Sequence, residues 1–305
     1  MRSTALASTK PRLRMSLRAT VCRADRFRSG CTAALPCAYP QPTTGTPMTA
    51  AADQWRTELA SWVIPDDILA AAPESPWGFP VDLFRVAEPS TADTPSRRRA
   101  TDALPAGGSV LDVGCGGGAA SLALVPPAGR LVGIDPSPGL LAEFAASADR
   151  AGVAHAQVLG AWPAAAPEVE TADVVVCHHV TYNIPDLADF AHALTGKARH
   201  RVVIEMTDRH PMTSTNELWQ RFHCLTRPTG PDATLAAAVL ADAGIAATVE
   251  RFERPARDIP RQVVVAATRR RLCLPADRDP EIDNLLGADH TFPSRATTCL
   301  WWDAH

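Results

Sequence analysis

The clearest hydrophobic pattern lies between residues 109 and 206, where short apolar runs alternate with stretches of helical periodicity. Strands are predicted at 109–113, 130–135, 155–159, 172–177 and 201–206, with helices between them at 119–125, 138–150 and 186–194. The run Val174-Val175-Val176 is apolar at every position, as expected of parallel strands covered on both faces. Upstream, 51–63, 65–72 and 95–104 read as helices, with a turn at Pro76-Trp77-Gly78-Phe79-Pro80. Downstream, a polar, aromatic-bearing segment (207–231) precedes a helix at 232–243. Two further apolar runs, 247–252 and 262–268, are expected to pair as an antiparallel hairpin. The fold expected is α/β: a doubly wound, mostly parallel seven-stranded sheet with a reversed last strand. Its domain division is 1–47, 48–108 (an N-terminal helical cap), 109–271 (the sheet domain) and 272–305 (a C-terminal extension).

Composition sharpens this division. Residues 1–47 hold eight basic side chains and one acid, Asp25, and read as a disordered basic tail or the product of a misplaced start at a point before Met48. The remaining residues then carry 22 basic and 32 acidic side chains beneath a formal net charge of -3. An acidic body argues against a polyanionic partner, so no nucleic acid is expected. No stretch approaches the roughly 20 apolar residues that span a bilayer, so no membrane partner is expected and the location expected is cytoplasmic. Eight scattered cysteines without a Cys-x-x-Cys pair read as reduced thiols. Cys177, His178 and His179 are adjacent on a strand and alternate between its faces, so no metal is expected there. Oligomeric state, monomer or homodimer, is not legible.

The chemistry concentrates where the first strand, Val110-Leu111-Asp112-Val113, breaks into Gly114-Cys115-Gly116-Gly117-Gly118. The second strand ends in Asp135-Pro136, and a carboxylate at that spacing is placed to receive ribose hydroxyls. The loop alone also satisfies a dinucleotide-binding pattern, which would make the chain an NAD(P)-dependent oxidoreductase. Asp112 weighs against that reading, because a carboxylate there repels a pyrophosphate but suits the ammonium of an amino-acid-bearing nucleoside.

At these residues the chain resembles the class I S-adenosylmethionine-dependent methyltransferases over roughly residues 95–268. The resemblance implies S-adenosyl-L-methionine as cofactor and a small-molecule acceptor. Gly114, Cys115, Gly116 and Gly118 would pack against the methionine and sugar, Asp112 would help hold the amino-acid moiety, and Asp135 with Pro136 would meet the ribose. After the third strand, where the family often has an acid for the adenine amine, this chain has Gly160-Ala161-Trp162. Trp162 either stacks on the adenine or packs in the core. That missing acid also keeps open a methyltransferase-like binding or regulatory protein without turnover. His178, at the end of the fourth strand, is expected to face the methyl group. It, His179 or Glu205 would serve as a base for the acceptor, an ordinary imidazole pKa of about 6.5 suiting the task; holding the loop by hydrogen bonds is the alternative. Asp208, His210, Trp219, Phe222 and His223 follow the fifth strand. The last three share one helix face that would cap the cleft or pack on the domain. Arg97-Arg98-Arg99 and Arg269-Arg270-Arg271 read as solvated surface.

Overall fold

The computed structural model describes residues 49–77, 84, 86, 90–255, 257–287, 291–292 and 295–304. The expectations for 1–47 and for residues 78–80 of the Trp77 turn lie outside these residues. Two helices lead in, α1 (Ala50–Ala60) and α2 (Asp66–Ala71), followed by α3 (Pro95–Asp102). Thr94 starts α3 by accepting from the Arg97 N–H at 3.2 Å, and Pro95, which has no N–H to lose, fills its first turn.

The sheet then builds as β1 (Ser109–Val113), α4 (Ala119–Leu122), β2 (Arg130–Asp135), α5 (Pro138–Ala151), β3 (Ala154–Leu159), β4 (Ala172–His178), α6 (Leu187–Thr195) and β5 (Ala198–Thr207). After β5 come α7 (Asn216–His223), α8 (Ala233–Asp242), β6 (Thr248–Arg254), β7 (Arg257–Asp258), α9 (Arg261–Arg271), α10 (Asp279–Leu285), β8 (Thr291–Phe292) and β9 (Arg295–Asp303). The seven-stranded sheet has the order β3-β2-β1-β4-β5-β9-β6, and β9 runs antiparallel to both its neighbours. β7 and β8 form a separate two-stranded ladder.

Alternation along the strands divides the interior in two. Leu111, Val175 and Ile204 point to a core shared with Phe190 and Leu194 of α6, Ala236 and Leu240 of α8, and Trp55 of α1. Val110, Val176 and Val203 point the other way, onto Leu122, Leu141 and Phe144. A third cluster gathers Ile64, Trp219, Val265, Leu272 and Ile282 from segments far apart in sequence. It forms a helical cap with its own apolar centre.

Two expectations are corrected. Residues 262–268 are helix, not the second arm of a hairpin: Pro260 precedes the first turn of α9, and Val265 is buried in the cap. The β-branched run Val263-Val264-Val265 favours a strand locally, and tertiary packing overrides it. The reversed strand comes instead from Arg295–Asp303, beyond the expected 109–271 span, and it lies inside the sheet rather than at its edge. The arginine triplets are likewise not mere surface. Arg269 reaches Glu74 at 2.8 Å and Asp279 at 2.9 Å, Arg270 reaches Glu74 at 2.6 Å, and Arg99 bonds Glu250 at 2.6 Å while stacking over Trp301.

Candidate active site

β1 lies between β2 and β4, so the connections leaving it and β4 pass to opposite sides of the sheet and open a crevice at the strand C-termini. The glycine loop fills that position. Gly114 has φ +69°, and a Cβ there would overlap the Val180 methyl that follows β4, so only glycine lets the two loops close on each other. Gly117 is required for a different contact: a side chain would run into the backbone carbonyl of Phe84. The neighbouring Val86 carbonyl accepts from Arg150 at 3.0 Å. Part of the glycine run therefore seats an N-terminal segment.

Asp135 closes on this loop from β2. One carboxylate oxygen accepts from the Gly116 N–H at 3.0 Å and the other from the Ser137 N–H at 2.9 Å. Only 7% of the residue is exposed, and burial raises its pKa despite these two bonds. Pro136 beside it is exposed. Asp112 is oriented differently. Its Oδ2 accepts from both the Oγ of Ser121 at 2.6 Å and the Ser121 N–H at 3.2 Å, anchoring α4 to β1. Burial pushes its pKa up to about 6. The Cys115 thiol is buried in the same apolar cluster as Phe144, and burial raises its pKa. Trp162 lies in the core, its indole N–H donating to the Phe190 carbonyl at 3.4 Å, while Ala161 is exposed.

A second polar group sits at the ends of β4 and β5, where His178 and Glu205 are paired in register. Glu205 is fully buried, and its Oε1 accepts from Arg254 Nε at 2.7 Å and lies 3.1 Å from His179 Nε2. Burial alone would raise the Glu205 pKa; His178, His179 and Arg254 outweigh it and hold the carboxyl below the usual range. Burial presses His178 down to about 4 against the opposing charge of Glu205, and its Nε2 has no partner. His179 is 41% exposed, with φ +60°. The two histidines thus separate: His178 is half-buried with its Nε2 out of solvent, and His179 is exposed. Arg254 was missed in the sequence because its partner strand β9 went unrecognised.

Of the remaining candidates, all but Asp208 lie in or against the cap. Trp219 is fully buried and tilted against His223, the packing alternative for that helix face. His210 stacks on Trp62 at 4.1 Å and meets Tyr182 edge-on. Arg227 binds the Trp62 and Val63 carbonyls at 2.5 and 2.8 Å and lies over both Trp62 and Trp219. Asp208 pairs with Arg251 on the surface at 3.1 Å. Among the described residues, no group of three or more His, Cys, Asp or Glu is arranged to hold a metal, and no helix is long and apolar enough to cross a membrane.

A parallel sheet with this strand order, a reversed strand within it and a glycine loop facing an acid define a Rossmann-like methyltransferase fold. Residues 110–200 match the family described as "Methyltransferase domain". That segment, from β1 to the start of β5, is therefore similar in sequence to the methyltransferase-domain family. Comparison with curated proteins gives no match. Among solved structures, the chain is similar to a putative methyltransferase from Bacillus halodurans (16% identity, 68% of this chain and 95% of that one, TM-score 0.45). It is also similar to a putative sarcosine dimethylglycine methyltransferase from Galdieria sulphuraria (15% identity, 68% and 83%, TM-score 0.45). A third is the magnesium protoporphyrin IX methyltransferase of Synechocystis with bound S-adenosylhomocysteine (14% identity, 64% and 73%, TM-score 0.41).

Proposed function

We propose that this chain transfers a methyl group from S-adenosyl-L-methionine to a small-molecule acceptor. The observation that carries the reading is the meeting of Asp135 with the glycine loop, a carboxylate held by two backbone N–H groups beside a cradle that admits no side chain at Gly114. Such a cradle fits a nucleoside with a charged tail: the backbone of Gly114 and Gly116 would lie against it, and Asp135 would receive the ribose hydroxyls. Asp112 contributes through α4, which it pins, rather than through an exposed carboxylate. When bound, the cofactor supplies an electrophilic methyl group on a sulfonium. The chain's own work is alignment, bringing the acceptor to the ends of β4 and β5 and excluding water. A dinucleotide reading is disfavoured by Asp112, whose buried carboxyl stands just before the loop that would meet the pyrophosphate.

Calorimetry with S-adenosylhomocysteine tests the reading directly. Binding is expected for the wild type. Asp135→Ala should weaken it by about 10- to 100-fold, the worth of hydrogen bonds to a charged group. No binding by the wild type would sink the proposal.

A further inference from the structure

We propose that His179 is the base that takes the proton from an O–H acceptor, an alcohol or phenol, with Glu205 and Arg254 as positioning residues. This rests on the methyltransferase reading above and names its substrate class.

The geometry separates His179 from every other titratable group near the loop. Its side chain is 41% exposed, whereas Glu205 behind it is completely buried. The His179 N–H donates to the Glu205 carbonyl at 2.7 Å, and φ +60° turns the residue back over β5, bringing Nε2 within 3.1 Å of the carboxylate. Residues held at positive φ without being glycine are uncommon and collect at functional sites. The next residue, Val180, abuts Gly114, so the imidazole stands one residue from the wall of the proposed cofactor cradle.

The charges suit a proton acceptor. A carboxylate beside Nε2 favours the tautomer with the proton there and leaves Nδ1 as the basic nitrogen. Arg254 donates to the same carboxylate oxygen, Oε1, at 2.7 Å, and Glu205 Oε2 is buried without a partner. An unpaired buried oxygen costs stability, so the pair is not the arrangement that packing alone favours. It does stabilise an imidazolium as one forms. His178, half-buried beside the same carboxylate, is the weaker base, its pKa pressed down to about 4 by burial.

A positioned base singles out oxygen acceptors. A neutral amine attacks through its own lone pair and sheds its proton to water afterwards, and a thiol, with a pKa of about 8.5, is already partly ionised. An alcohol or phenol attacking with its proton in place would build positive charge on oxygen. In the proposed step the O–H bond breaks, the proton goes to Nδ1, and the oxygen electron pair forms the new C–O bond. The methyl–sulfur bond breaks with its pair left on sulfur, giving a methyl ether and S-adenosylhomocysteine. The imidazolium then returns its proton to water.

The test uses the full chain with methyl-labelled S-adenosylmethionine and a panel of simple phenols, alcohols, amines and thiols. Label should enter O-methyl products, and His179→Gln should lower that rate about 10²- to 10⁴-fold while S-adenosylhomocysteine binding is kept. Nitrogen-15 NMR of the imidazole supplies a readout independent of turnover. His179 should carry its proton on Nε2 in the wild type and shift towards a tautomer mixture in Glu205→Gln. Label confined to nitrogen or sulfur, no O-methyl product, an undiminished rate in His179→Gln, or an unchanged NMR pattern in Glu205→Gln would overturn the proposal with cofactor binding intact. Loss of binding in the wild type would instead remove the reading on which it rests.

Discussion

Between residues 109 and 178, neighbouring strands pair in parallel through matched registers. The helical cap is assembled differently. Its apolar centre draws on Ile64, Trp219, Val265 and Ile282, and its polar ties also join segments far apart in sequence, Arg227 to the Trp62 carbonyl and Arg269 to Glu74 among them. The sheet half is a local design completed by tertiary contacts, and the cap exists only through them. Mutations in the cap should therefore act on stability, and mutations at the loop on cofactor binding.

The largest effect separating the two is expected from Trp219→Ala, which empties a fully buried indole from the cap. It should cost about 3–5 kcal/mol, read as a lowered denaturation midpoint, with S-adenosylhomocysteine affinity unchanged in the fraction still folded. Equal loss of affinity would mean that cap and loop are one cooperative site.

Next comes His210, whose pKa burial lowers to about 3, with Arg227 and Arg271 acting in the same direction. A base whose folded pKa lies below its unfolded value contributes full stability above about pH 6.5 and loses it as pH falls towards 3. At pH 5 the loss is about 2 kcal/mol by linkage. His210→Phe, which keeps the stack on Trp62, should flatten that dependence relative to the wild type. Parallel pH profiles for the two proteins would contradict the assignment.

In the sheet half the sign reverses. Burial raises the Asp112 pKa to about 6, so its ionised form opposes folding above that pH and the opposition fades as pH drops towards 3.8. Asp112→Asn preserves an acceptor for Ser121 and removes the charge. It should raise the midpoint at pH 8 by stability on the order of 1–2 kcal/mol. If it also abolishes S-adenosylhomocysteine binding, the carboxylate acts on the cofactor directly rather than through α4. The smallest change is expected from Glu74→Gln, which loosens Arg269 and Arg270 at a partly exposed position. Less than about 1 kcal/mol should be lost, and less still at high salt.

The same contrast explains what could be read from the sequence. β1 and β2 were legible to the residue, because apolar runs bounded by glycine and by Asp135 mark both ends. The loop and its facing acid were legible for the same reason. The outcome for the two histidines was not, since a strand terminus tells that side chains alternate but not that one residue turns to positive φ. Glu205 was visible as an acid near the right strand end. Its burial and its Arg254 partner depend on β9, whose run Ala296-Thr297-Thr298-Cys299-Leu300-Trp301-Trp302 carries a strand-like composition that no neighbouring turn signal framed. Val263-Val264-Val265 misled in the opposite sense, since its local preference is real and the cap overrides it.

The place of β9 has a consequence for how the protein is made. Because it hydrogen-bonds to both β5 and β6, β5 is paired on one side only, with β4, and β6 has no partner until residues 295–303 have emerged from the ribosome. Until then the apolar β5 presents a bare edge, the kind of surface that recruits other chains. A nascent chain paused anywhere between β5 and β9 would thus be a sticky half-sheet with its glycine loop already formed, and a natural client for a chaperone.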